Sequence, residues 1–172
     1  MCFVYAAIGK NFRSKVWFMP AGARMGGRKK GKEQFTGSHF VPFMASLMQQ
    51  LKTLKTRSGR QCRVWIVMDT ASQHTSTSTV TALDALHVPL LAGFPAYSPD
   101  INPIELVWSH LVEAMHTRRP RTLAGLQVAI KEEWGKLDQG VINRTIAGVP
   151  ARMREIERMG GEWLKPMKRR FV

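Results

Sequence analysis

Five consecutive apolar residues, Val64-Trp65-Ile66-Val67-Met68, run without interruption into Asp69. A strand with one wet face alternates apolar and polar side chains, because successive residues point to opposite sides of the sheet. A run that is apolar at every position needs cover on both sides. In a chain of this length that means helices packed on two faces of a sheet. The run is too short to cross a bilayer, and no apolar stretch approaches the roughly 20 residues that a membrane span needs. The chain is therefore expected to be α/β, with a mixed sheet flanked by helices. Its 172 residues are enough to bury a core, and they are read as one domain, 1–172, ending in a basic tail over 160–172.

Local signals place further elements around that run. Cys2 to Ile8 reads as a strand, Gly9 to Arg13 as the turn after it, and Ser14 to Met19 as the antiparallel partner. Ser38 as N-cap, with Pro42 in the first turn, opens a helix over 39–55, where Phe40, Phe43, Met44, Leu47, Met48, Leu51 and Leu54 recur at helical spacing. The hydroxyl-rich segment after Asp69 leads into a short helix through Val80, Leu83 and Leu86, and Val88 to Leu91 reads as a short strand. Gly93 to Pro103 carries three prolines and forms a stiff loop. Pro103 then opens a helix at a position where its missing N–H costs nothing. Thr122 caps another, with Leu123, Leu126, Ile130, Trp134 and Leu137 along one face, and a helical hairpin follows over Gly140–Gly148 and Pro150–Met159.

Charge divides the chain unevenly. Residues 1–63 hold 13 Lys and Arg against the single acid Glu33; residues 64–117 hold no Lys or Arg but five acids; residues 118–172 hold 13 basic and six acidic residues. The net charge of +14 predicts affinity for a polyanion. Two basic clusters are the candidate phosphate contacts: Arg24, Arg28, Lys29, Lys30 and Lys32 in a glycine-rich loop, and Arg118, Arg119 and Arg121 in the hinge after the Pro103 helix. The first could equally be a solvated charge run. Cys2 and Cys62, far apart and beside no metal-ligand partner, read as free thiols of a reducing compartment, and the N-terminus lacks the basic start of a signal peptide.

An acidic island without basic partners leaves its carboxylates available to a cation. Asp69 ends a strand, and ligands of open α/β sheets gather at the carboxyl ends of strands. Glu105 falls in the first turn of the Pro103 helix. Taken singly, Asp69 also fits a turn or helix cap, and Glu105 also fits the positive end of a helix dipole. Together they suit a hard divalent ion, which takes few protein oxygens and keeps several waters. Phosphodiester cleavage by paired ions uses such carboxylates.

The two stretches resemble those of mariner-superfamily transposases. Tyr97-Ser98-Pro99-Asp100-Ile101-Asn102-Pro103-Ile104-Glu105, with Trp108, is similar to that family's third motif. Asp69 with Ala71, His74 and Ser76 resembles its second, and the 35 residues between Asp69 and Glu105 match its spacing. The resemblance covers about residues 1–165. It implies a ribonuclease H-like (retroviral integrase-like) fold with a helical C-terminus. It also implies Mg²⁺- or Mn²⁺-dependent cleavage and transfer of DNA strands, and a catalytic Asp-Asp-Glu triad in which Asp69 and Glu105 are second and third and hold the metal, which is expected only if the triad is completed. Asp100 is then a loop-shaping residue and His74 a hydrogen-bonded structural or DNA-proximal one.

Two departures qualify that picture. Thr70 stands where the family has Asn, and no residue is placed to serve as the first Asp, since Glu33 is the only acid before Asp69 and lies in the glycine-rich loop. The strand bearing the first Asp and the N-terminal helix-turn-helix domains have no counterpart in these residues. The expectation is a partial catalytic domain, truncated at its N-terminal strand and inactive by itself. DNA is its partner and no membrane is; a homodimer or a missing N-terminal segment would complete it. A nuclear location is expected in a eukaryote and a cytoplasmic one otherwise. The alternative is a non-catalytic nucleic-acid-binding protein derived from a transposase.

Overall fold

The computed structural model describes residues 2–19, 37–69, 71–95 and 98–162. Four short strands, β1 (Val4–Tyr5), β2 (Ile8–Gly9), β3 (Phe12–Arg13) and β4 (Trp17–Phe18), precede seven helices. These are α1 (Gly37–Leu51), α2 (Ser72–Thr75), α3 (Thr77–Ala85), α4 (Pro103–Arg118), α5 (Leu123–Lys136), α6 (Gln139–Ala147) and α7 (Val149–Arg158). They divide into two compact units, one of residues 1–6 and 14–97, the other of 7–13 and 98–172.

In the first unit β1 pairs antiparallel with β4, Val4 opposite Phe18 and Tyr5 opposite Trp17, as the strand reading of 2–8 and 14–19 expects. α1 supplies the core, with Phe40, Phe43, Met44, Leu47 and Leu51 all buried on the face its spacing predicts. The helix begins at Gly37, so the expected cap Ser38 falls inside it. From Arg63 to Asp69 the chain is extended, and a single parallel bridge joins Ile66 to Leu90. The amide of Ile66 donates to Pro89 O (2.8 Å), and that of Leu91 to Ile66 O (2.9 Å).

The expected cover on both faces of this run is not what the structure has. Trp65 is 67% and Val67 41% exposed, whereas Val64, Ile66 and Met68 are partly covered. Cover on a face comes from an element packed against it, and the described residues leave Trp65 and Val67 without one. Backbone pairing is one-sided as well. Only the edge carrying Ile66 has a partner; among the described residues the backbone groups of Trp65 and Val67 have none.

The second unit is helical apart from one hairpin. Ile142, Val107, Ala129, Trp134 and Leu111 are buried where α4, α5 and α6 meet, and Trp108 stacks on Trp134 with ring centroids 5.3 Å apart. Caps set the helix starts: Asn102 for α4, Thr122 accepting from the Gly125 amide for α5, and Asp138 accepting from the Val141 amide for α6.

Residues 8–13, expected as one strand end and a turn, form a hairpin of their own, β2 with β3, turning through Asn11 at φ 59°. Polar contacts fasten it to α5 and α6. Gln139 Nε2 donates to Gly9 O (3.3 Å), the Asn11 amide donates to Asn143 Oδ1 (2.8 Å), and Asn143 Nδ2 donates to Asn11 Oδ1 (2.7 Å). The Arg13 guanidinium donates to Leu137 O (2.6 Å) and Gly135 O (3.1 Å). A reciprocal pair such as Asn11–Asn143 leaves two unmatched groups when one partner goes. Asn143→Ala is therefore expected to lower stability by about 1–2 kcal/mol in urea unfolding, each hydrogen bond being worth roughly 1 kcal/mol.

Candidate active site

Asp69 stands at the end of the extended run, and α2 begins three residues later. Its side chain is 53% exposed, and among the described residues both of its hydrogen bonds fall on one oxygen. His74 Nδ1 lies 2.6 Å from Oδ1, and the Ala71 amide donates to the same atom at 3.3 Å. The His74 bond holds the carboxyl below the usual aspartate range; partial burial opposes this, while the charge of His74 and the Ala71 amide add to it. Asp69 is therefore ionised at neutral pH. The turn reading of this residue is met, since Oδ1 closes the local turn; Oδ2 takes no hydrogen bond among the described residues.

Behind this carboxylate sits a group of rings that sequence reasoning did not assemble. Tyr5 of β1 stacks on Phe43 and meets Phe40 edge-on, both at 5.3 Å between centroids, and Phe40 lies 4.2 Å from the His74 ring. Burial pushes the Tyr5 hydroxyl far above its ordinary value, and the negative charge of Asp69 adds to the push. The helical spacing of Phe40 and Phe43 marked them as core; nothing local to Tyr5 signalled its place beside Asp69.

Glu105 belongs to the second unit. Asn102 caps α4 with its side chain accepting from the Ile104 amide (3.4 Å), Pro103 occupies the first turn, and Glu105 follows there as expected, partly buried. Asp100, just upstream, is 7% exposed, and its Oδ1 accepts from the Ile101 amide at 3.1 Å. That fits a loop-shaping role. Arg152 of α7 feels the Asp100 charge, although burial lowers its pKa more strongly than Asp100 raises it.

Of the basic residues, Arg24, Arg28, Lys29, Lys30 and Lys32 lie outside the described residues. Arg118 ends α4 and is already engaged by Glu132 (2.6 Å) and Glu133 (3.0 Å). Arg119 and Arg121 are exposed, with no side-chain partner among the described residues; Arg119 closes α4 in the left-handed conformation at φ 47°.

Two hard carboxylates suit Mg²⁺ or Mn²⁺ by donor chemistry. Among the described residues, no group of three or more His, Cys, Asp or Glu side chains could hold a metal ion.

Residues 24–127, which include Asp69 and Glu105, match the model of the DDE superfamily endonuclease family. The Transposable element Tc3 transposase of Caenorhabditis elegans is 32% identical over 95 residues, covering 54% of this chain and 29% of that protein. The chain thus spans about three tenths of the length of this curated relative. The crystal structure of the catalytic domain of Mos1 mariner transposase superposes with a TM-score of 0.77 at 18% identity, covering 94% of this chain and 75% of that one. A Mos1 mariner paired end complex with Mn superposes at 0.66 with 22% identity, over 77% and 39% of the two chains. The chain belongs to the DDE superfamily endonucleases, and its fold is that of a mariner transposase catalytic domain.

Proposed function

We propose that this chain is the catalytic part of a transposase that cuts and joins DNA strands with Mg²⁺ or Mn²⁺, and that residues 1–172 are inactive by themselves. The observation that carries the reading is Asp69: an ionised, half-exposed carboxylate inside the family match, with one oxygen held and the other taking no hydrogen bond among the described residues. Asp69 and Glu105 would hold the ions, which when bound activate the attacking oxygen and stabilise the leaving one. The chain's own part is to fix these oxygens: Asp69 by His74 and the Ala71 amide, Glu105 by the capped first turn of α4. A metal-dependent nuclease of this kind needs a third carboxylate. The open backbone edge at Trp65 and Val67, next to Asp69, is where an Asp-bearing strand would pair. Relatives solved as paired-end complexes, one of them with Mn, support DNA and divalent metal as partners, and support a homodimer as the working form.

The test is a nicking assay on supercoiled DNA with Mg²⁺ or Mn²⁺. The 172 residues are expected to bind DNA without cutting it, and to cut once an Asp-bearing strand is joined ahead of Met1. Cutting by the 172 residues alone would overturn the claim of inactivity. No cutting with the strand restored would favour the binding-only reading.

Binding itself is expected to weaken steeply with salt, because each phosphate neutralised releases counterions. Replacing both Arg119 and Arg121 by Ala should lessen the slope of log K against log salt by about 2, roughly 1 for each phosphate that is no longer neutralised. Arg118→Ala should change it less, since Glu132 and Glu133 already neutralise that guanidinium.

A further inference from the structure

The His74 side chain beside Asp69 is packed into the protein and does not merely rest on its surface. His74 is 12% exposed against 53% for the carboxylate it meets. The ring of Phe40, itself 3% exposed, lies 4.2 Å away, and Tyr5 lies 6.3 Å away. Aromatic packing, and not the carboxylate, therefore sets the place of the imidazole.

The direction of the hydrogen bond follows from the chemistry. An ionised carboxylate can only accept, so Nδ1 carries the proton and donates to Asp69 Oδ1 over 2.6 Å. The other ring nitrogen, Nε2, is buried with no hydrogen-bond partner among the described residues. Burying a polar atom unmatched is unfavourable, and a phenyl ring would fill the same slot without that cost. What a phenyl ring would lack is the Nδ1 proton.

We infer that His74 is a positioning residue for Asp69: anchored by Phe40 and Tyr5, it clamps Oδ1 and so presents Oδ2 to the cation in one orientation. A carboxylate oriented beforehand loses less rotational freedom when the metal binds. Partners that orient a ligand commonly change metal affinity 10- to 100-fold. The inference rests on the reading of Asp69 as a metal ligand.

The experiment is a titration with Mn²⁺ alone of the chain carrying an added Asp-bearing strand, as in the nicking assay, following the free ion by electron paramagnetic resonance, with thermal unfolding run beside it. Asp69→Asn is expected to abolish the site. His74→Phe, which keeps the ring packing but not the donor, should weaken Mn²⁺ binding about tenfold without lowering the unfolding temperature. His74→Asn, whose amide can occupy the Nδ1 position, should stay within about threefold of the parent, while His74→Gln, whose amide reaches the Nε2 position, should behave like His74→Phe.

Mn²⁺ binding that is absent from the parent, or unchanged in Asp69→Asn, would overturn the ligand reading and the inference with it. Binding lost in Asp69→Asn but unchanged in His74→Phe would overturn the positioning role alone. Should His74→Phe fail to fold, the Asn and Gln variants decide: equal affinities in the two would overturn the inference, and retention only in Asn would support it.

Discussion

Asp69→Asn and Glu105→Gln are each expected to reduce Mg²⁺-dependent DNA cleavage to the level seen in EDTA, measured in a form of the protein carrying an added Asp-bearing strand. Both changes keep shape and hydrogen-bonding capacity and remove one negative charge. A metal acting as a Lewis acid contributes several kcal/mol to the transition state. Losing about 4 kcal/mol of that lowers the rate roughly 10³-fold. DNA affinity should hardly change, because the phosphates are met by arginine and lysine, and removing an acid does not weaken that attraction. The split between lost cleavage and kept binding is the signature of a metal-ligand role. Nicking that persists in both variants would sink the assignment. Loss of binding together with cleavage would point to damaged folding, which circular dichroism would reveal.

Trp134→Ala should be the most damaging single change to the helical unit, costing about 3–5 kcal/mol. Trp134 is 4% exposed on α5, and its ring stacks on Trp108 of α4 at 5.3 Å and 28°. Truncation removes both the stacking partner and the filling between the helices, and an interior packed this densely relaxes only partly around such a void. Against a typical total stability of about 5–15 kcal/mol, that loss is a large fraction. Val128 offers the control on the same helix: it is 53% exposed, so Val128→Ala should stay within about 0.5 kcal/mol. Guanidinium unfolding checks both. A midpoint for Trp134→Ala equal to that of Val128→Ala would show that the packing of α4 on α5 does not carry the stability of this unit.

Much of the helical structure was legible before any coordinates. α4 and α5 begin where Pro103 and Thr122 put them, and α1, α6 and α7 overlap the helices that residue spacing predicted, because such signals act within one or two turns. Thr122 caps α5, and Pro103 and Glu105 sit in the first turn of α4. The short strands were harder to read, since two-residue pairings have no periodicity to show. The stretch 2–8 therefore divides into β1, paired with β4, and β2, paired with β3, where a single strand was expected.

The candidate site divides in the same way. The sequence by itself determined the family and singled out two candidate carboxylates, because the motif around Glu105 and the apolar run into Asp69 are contiguous strings of residues. Only the tertiary structure decided what surrounds them. It sets His74 of α2 against Phe40 of α1, 34 positions earlier, and Tyr5 of β1 within reach of the Asp69 charge. It engages Arg118 with Glu132 and Glu133, so a residue read as a free phosphate contact is already paired. It fastens the 8–13 hairpin to residues more than 120 positions away. And it leaves Trp65 and Val67 exposed where an apolar run implied cover, because cover depends on which distant elements pack over that face. A sequence states what each segment prefers by itself; which distant segment lies next to it is set when the chain closes long loops, and no local pattern records that.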